Sequence, residues 1–385
     1  MTGEVVIDLV GLQSLMDTLR GQGFTVLGPT VRDGAIVPAP VTNVDELPRG
    51  WGDEQDGAHY RLRRRDDDAL FGYAAGAQSW KPVLFPAEQL LSRVRRTESG
   101  TAPEAIGDAA GRYGSPPYAL LGVRSCDLHA IGIHDEVLLG RATADPHYAA
   151  ERQDAFIVSV ACSDPGGTCF CVSMGTGPRP DNGFDLSLTE LTTDGDERRL
   201  LVEVGSERGL ELLAVVPHTS ATTDDLASSA RITEVASGRM GRSLDTAGIK
   251  DLLYAAAESP RWDDVASRCL ACGNCTMVCP TCFCTSVEDH TDLTGHVAER
   301  SRVWDSCFTG DFSHLHGGSV RGSLAARYRQ WATHKLASWE DQFGMSGCVG
   351  CGRCVTWCPA AIDITEEAAA IRAESHVQPH DVGGA

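Results

Sequence analysis

The sequence predicts an α/β domain at its N-terminal end and a mainly α-helical, ferredoxin-like dicluster domain at its C-terminal end. Two observations carry this. Residues 118–160 run apolar strand, amphipathic helix, apolar strand, the order of a parallel α/β unit. Residues 269–280 and 348–359 then repeat one cysteine pattern, C-x2-C-x2-C-x3-C-P, on either side of a long insertion with helical character over 324–343. The expected division is 1–240 for the α/β domain, 241–370 for the dicluster domain and 371–385 for a tail.

Composition bounds the function. The 385 residues are 42% hydrophobic and 22% charged, an ordinary globular mixture. The net charge of −20 speaks against nucleic acid or an anionic membrane as partner. No stretch approaches the roughly 18 apolar residues of a membrane span. Residues 1–12 carry Glu4 and Asp8 but no Lys or Arg, unlike a secretory signal. Fifteen cysteines in such a chain point to a reducing, cytoplasmic setting and to metal rather than a disulfide framework.

Taken in order, residues 8–22 predict a helix capped by Asp8, with Leu9, Leu12, Leu15, Met16 and Leu19 as its apolar stripe. Thr25–Leu27 and Ala35–Val37 read as strands around the turn Asp33-Gly34. Residues 43–68 read as polar loop, with the basic run Arg61, Arg63, Arg64, Arg65 as a solvated face or, alternatively, a site for an acidic partner. Ser79–Pro86 is a proline-framed extended segment ahead of a predicted helix at 87–95. Trp80 and Lys81 read there as packing residues, with a cofactor contact as the alternative. Residues 97–116 read as loop. Tyr118–Val123 predicts a strand, Asp127–Leu139 a helix and Ala155–Val160 a second strand. Residues 184–216 read strand, strand, helix, and 218–242 a polar linker. Helices are predicted from a Ser243 cap to Glu258 and over Arg261–Arg268.

The paired motif is the spacing that holds two [4Fe-4S] clusters. Three thiolates at steps of three residues grip one cube, and the fourth reaches across to the other. One cluster is therefore assigned to Cys269, Cys272, Cys275 and Cys358, the other to Cys348, Cys351, Cys354 and Cys279. Pro280 and Pro359 turn the chain away, while Gly273, Gly350 and Gly352 let the backbone curl toward the sulfurs. Zinc also takes four thiolates, but needs neither the third evenly spaced cysteine nor the Cys-Pro ending.

Four more cysteines converge on paper. Cys126 and Cys162 each follow a predicted parallel strand, and chemistry in such sheets gathers beyond the strands' carboxyl ends. Cys169 and Cys171 follow in a glycine-rich loop. The set is complete for a third [4Fe-4S] cluster, with zinc or four buried free thiols as alternatives. His129 and His134 read as neighbours rather than ligands. Cys282, Cys284 and Cys307 read as packing around the clusters, or as ligands of a further metal.

The run Cys269–Cys284, ending C-P-T-C-F-C, together with Gly122–Ala130 (G-V-R-S-C-D-L-H-A), resembles the dicluster beta subunits of cytosolic nickel–iron sulfhydrogenases. One component of anaerobic sulfite reductase is a close relative of that family. Ser79–Pro86, Asp145–Arg152, Cys162–Cys171, Arg302–Cys307 and Gly317–Arg321 are similar too, so the resemblance spans about residues 60–363. It departs at Ser319-Val320, where relatives tend to carry His-Asn. The resemblance implies an electron-transfer role within a complex. Its partners would be a flavin subunit that handles NAD(P)H, a small iron–sulfur subunit, and the nickel–iron catalytic subunit. The residues add that no G-x-G-x-x-G follows a strand, so a dinucleotide fold of that kind is unsupported. A free-standing redox sensor and a flavin enzyme are the competing classes.

Overall fold

The computed structural model describes residues 4–74, 76–98, 100–104, 116–140, 142–191 and 198–377. Of the loop expected at 97–116, residues 99 and 105–115 lie outside these, as do the last residues of the expected tail, while Thr97 and Gly100–Glu104 are strand rather than loop.

The chain opens with β1 (Val5–Ile7) and α1 (Leu9–Gly21), whose N-cap Asp8 accepts a hydrogen bond from Gly11 N–H. The predicted stripe is buried: Leu12, Leu15, Met16 and Leu19 are all inside. A hairpin follows, β2 (Thr25–Arg32) and β3 (Ala35–Pro40), turning at Asp33-Gly34 as expected. Residues 43–68, expected as loop, form a second hairpin, β4 (Trp51–Asp56) and β5 (His59–Arg64). The basic run is largely paired: within the hairpin Arg63 pairs with Glu54 and Arg64 stacks 3.8 Å over the Trp51 ring, and just past it Arg65 binds Asp67 and Asp164.

Lys81–Leu84 forms a short helix, α2. The helix expected at 87–95 is instead a strand, β6 (Glu88–Thr97), paired with β7 (Gly100–Glu104). Its neighbouring leucines and arginines lack clean alternation, and its other partner lies two hundred residues further along the chain. Non-local pairing outweighed the local pattern.

Next come β8 (Tyr118–Val123), α3 (Ser125–Leu138), α4 (Pro146–Asp154) and β9 (Phe156–Val160), the expected α/β unit with β8 parallel to β9. β10 (Leu186–Leu191), β11 (Arg199–Val204) and α5 (Glu207–Leu213) give the expected strand, strand, helix. The linker expected at 218–242 instead holds the short β12 (Thr219–Ser220) and a 15-residue helix, α6 (Thr223–Ser237). Thr222 and Asp225 close a capping box at its start, a signal hidden by the Ser- and Thr-rich composition.

Among the described residues, eight strands join in the order β12-β1-β11-β10-β9-β8-β2-β3. The centre, β10-β9-β8-β2, is parallel. Alternate residues feed two layers: Val158 packs toward α1 and α5, while Ile157 packs toward α3 and α4.

The C-terminal region is helical: α7 (Ile249–Ala255), α8 (Arg261–Arg268), α9 (Asn274–Met277), α10 (Leu324–Thr333), a π-helical turn (His334–Ser338), α11 (Trp339–Phe343), α12 (Arg353–Thr356) and α13 (Ile364–Val377). Gly248, rather than the expected Ser243, precedes α7. The insertion between the cysteine runs also carries a hairpin, β13 (Thr285–Thr291) and β14 (Val297–Trp304), and β14 pairs with β6. One sheet, β13-β14-β6-β7, is thus built from both ends of the chain. Phe170, from the loop after β9, is fully buried in the helical core beside Trp331 and Leu336.

Candidate metal centres

The two cysteine runs share one backbone device. Ala271 and Gly350 both have positive φ, 52° and 63°, and each donates its N–H back toward the first sulfur of its run. The distances are 3.4 Å for Ala271 N to Cys269 Sγ and 3.5 Å for Gly350 N to Cys348 Sγ. Gly273 and Gly352 then take left-handed conformations ahead of α9 and α12.

Each fourth cysteine lies among thiols of the other run. Cys358 lines one cavity with Cys269, Cys272, Cys275 and, from its own run, Cys354, and Phe308, Tyr328 and Trp331 also touch it. Cys279 does not line it. Cys279 lies close enough to Cys348, Cys351 and Cys354, and to Cys275 of its own run, to perturb all four thiols. Burial pushes Cys348 up to about 12 and Cys354 well above the usual thiol range. The Cys282 thiol, donating to Cys279, and the Lys335 ammonium hold Cys279 well below it.

The third set also comes together. β8 and β9 run parallel, so Cys126 and Cys162 leave the sheet at one edge. Cys169 and Cys171 arrive on the following loop, held by Phe170 N–H donating to Gly350 O at 2.8 Å. Cys126, Cys169 and Cys171 are buried, and burial raises all their pKa values, Cys171 to about 12. Each of the three also senses Cys351, so this set abuts the second thiol set of the C-terminal region. A Cβ on Gly350 would stand 2.6 Å from Phe170 O, so only glycine permits this approach. The buried Arg353 clamps the junction through two bonds to Asp127, at 2.8 and 3.0 Å.

The histidines stay outside. His129 faces Asp181 at 3.5 Å. His134 packs edge-on to Phe85 and Tyr148, where burial lowers its pKa to about 3. Cys282 neighbours Cys279, while Cys307 neighbours Cys284 and Cys275. None of the fifteen cysteines is disulfide-bonded. Arg302 binds Asp145 and Gln89, and Arg327 donates to the carbonyls of Arg321 and Phe308.

These donors fit iron–sulfur clusters. Among the described residues, no three Cys, His, Asp or Glu side chains close around a single ion. A cubane spaces its thiolates more widely, since each binds its own iron. The buried charges fit as well. Lys81, Arg124 and Lys335 are 5%, 4% and 3% exposed. Among the described residues, none meets a carboxylate at ion-pair distance; their bonds go to carbonyls and to Thr281. Buried cations left so cost several kcal/mol each, and dianionic clusters beside them would supply the missing charge. The sequence offers Lys81 as a packing residue with a cofactor contact as the alternative, and does not single out Lys335. Each is a lone lysine in an apolar, tryptophan-containing stretch, a signal that was present.

Fold and thiols together define an iron–sulfur protein, and the family model for the 4Fe-4S dicluster domain matches residues 268–362. The chain is also similar to Sulfhydrogenase 2 subunit beta of Pyrococcus furiosus, with 39% identity over 331 residues, covering 85% of this chain and 93% of that one. It belongs to the sulfhydrogenase beta subunit family. No solved structure matches it. Among the described residues, no helix is long and apolar enough to cross a membrane.

Proposed function

We propose that this chain is the electron-transfer iron–sulfur subunit of a sulfhydrogenase. It relays electrons between an NAD(P)H-linked flavin subunit on one side and the nickel–iron catalytic subunit on the other. A small iron–sulfur subunit completes the complex, which works in the cytoplasm. Cys269, Cys272, Cys275 and Cys358 hold one [4Fe-4S] cluster. Cys348, Cys351, Cys354 and Cys279 hold a second. Cys126, Cys162, Cys169 and Cys171 hold a third. Residues 1–240 act as the α/β unit and 241–370 as the ferredoxin-like unit.

The observation that carries this reading is the order of the thiol sets. The first opens at the surface through Cys272, the second shares neighbours with it, and Cys351 adjoins the third. Three adjacent centres on one chain make a wire. The clusters supply one-electron chemistry. The protein supplies burial, N–H donors to sulfur and fixed charge, the levers that set potentials. The test is subtraction from the purified complex. Hydrogen oxidation with an artificial dye at the catalytic subunit should survive removal of this chain, and NAD(P)-linked hydrogen oxidation should collapse. Persistence of NAD(P)-linked turnover would refute the relay.

A further inference from the structure

The chain holds 33 lysines and arginines together, and only three are lysines: Lys81, Lys250 and Lys335. Lys250 lies at the surface against Asp341. The other two are buried beside the Cys279–Cys284 segment. Lys81 Nζ donates to the carbonyls of Met277 and Cys282, both at 3.3 Å, and sits 3.8 Å over the Trp304 ring. Lys335 Nζ donates to Thr281 Oγ1 at 2.7 Å and Gly347 O at 3.3 Å. Thr281 Oγ1 is 3.2 Å from Cys279 Sγ.

Two features mark these positions as selected for charge. A chain that uses arginine almost everywhere places a compact ammonium, rather than a wide guanidinium fork, at both. Lys335 also rides on the π-helical turn between α10 and α11, an irregularity that recurs at functional sites. Gly347 N–H donates to Lys335 O at 2.8 Å, tying that turn to the residue before Cys348. Among the described residues, the first thiol set has no equivalent lysine. The nearby Arg261 and Arg268 are committed to Glu367 and Asp264, and its cavity is walled by Phe308, Tyr328 and Trp331.

We propose that Lys81 and Lys335 are the fixed counter-charges of the centre on Cys279, Cys348, Cys351 and Cys354, and that they make it the more easily reduced of the two dicluster centres. This rests on the cluster assignment proposed above. An electron arriving there adds a negative charge that two ammonium groups already face, so the reduced form is favoured without a proton having to follow. At the other centre the added charge meets aromatic rings and solvent. Electrons entering the wire therefore collect at its middle.

The experiment is a redox titration followed by EPR on the full chain, purified anaerobically, with iron and sulfide counted first. At the potential where the wild-type middle centre is half reduced, Lys335→Met should lower its reduced-to-oxidised ratio about tenfold, a shift of about 59 mV for one electron. Lys81→Met should act in the same direction. The centre on Cys269 should titrate unchanged in both, and Lys250→Met should move neither. Lys335→Arg, which keeps the charge, should stay close to wild type. If Lys335→Met loses iron, Lys81→Met carries the same reading. Full iron with an unmoved ratio in Lys81→Met overturns the proposal while the cluster assignment stands. Wild-type protein that lacks two dicluster centres overturns both.

Discussion

The two cysteine runs are one sequence element used twice, and the structure puts them to opposite uses. In the first, Cys272 is exposed, Leu270 is 67% exposed, and the positive-φ position is filled by Ala271. In the second, Cys351 and Val349 are buried, and the matching position must be Gly350 because the Cys169–Cys171 loop leaves no room for a side chain. Gly352 is pressed equally closely: a Cβ there would meet Thr168 O at 2.4 Å. The spacing of a motif therefore sets which thiols lie together, while the packing around it sets how deeply they are buried. One run makes an end that faces solvent. The other makes a junction.

The comparison can be broken most severely at the crossed ligand. Cys279→Ser should abolish the centre built on Cys348, Cys351 and Cys354 and leave the centre on Cys269 in place, as read by EPR of the reduced chain. Loss of the Cys269 signal instead would show that the runs do not cross. Cutting the clamp comes next. Asp127→Ala strands Arg353, which is 2% exposed, and should cost about 3–5 kcal/mol in anaerobic denaturant unfolding. An effect under ~1 kcal/mol would mean that the junction is held by other contacts.

The backbone device separates the runs more finely. Gly350→Ala adds a methyl against Phe170 O at a positive φ and should destabilise by about 1–3 kcal/mol, with iron lost first from the middle or N-terminal centre. Ala271→Gly, its counterpart, relieves a positive φ in an uncrowded loop. It should change the unfolding midpoint by less than ~1 kcal/mol and leave the iron count unaltered. Equal responses from the pair would dissolve the distinction between end and junction.

Much of this was legible because the informative residues are local. The cysteine spacing, the Asp8 cap and the strand–helix–strand run at 118–160 each constrain their own neighbourhood, and the cap and the α/β run take the expected form. What escaped was non-local or masked. β6 reads poorly as a strand because its ladder comes from β14. The hairpin of β13 and β14 sat unseen inside an insertion judged by its helical end. α6 was hidden by a composition that suits linkers, although its capping box is written in Thr222 and Asp225. The placement of Cys126 and Cys162 past two parallel strands, with Cys169 and Cys171 in the glycine-rich loop that follows, was legible. Their contact with Cys351 was not, since no periodicity relates the loop after β9 to a turn near the C-terminus.

Three thiol sets are expected to make three adjoining four-iron centres. Iron and acid-labile sulfide per full-length chain test this most directly, in the wild type and in Cys171→Ser, both prepared anaerobically. Four irons for each set predict about twelve irons in the wild type and about eight in the variant, with both dicluster signals retained. A wild-type chain with about eight irons, unchanged by Cys171→Ser, would leave the N-terminal set as plain buried thiols and shorten the wire to its two C-terminal centres.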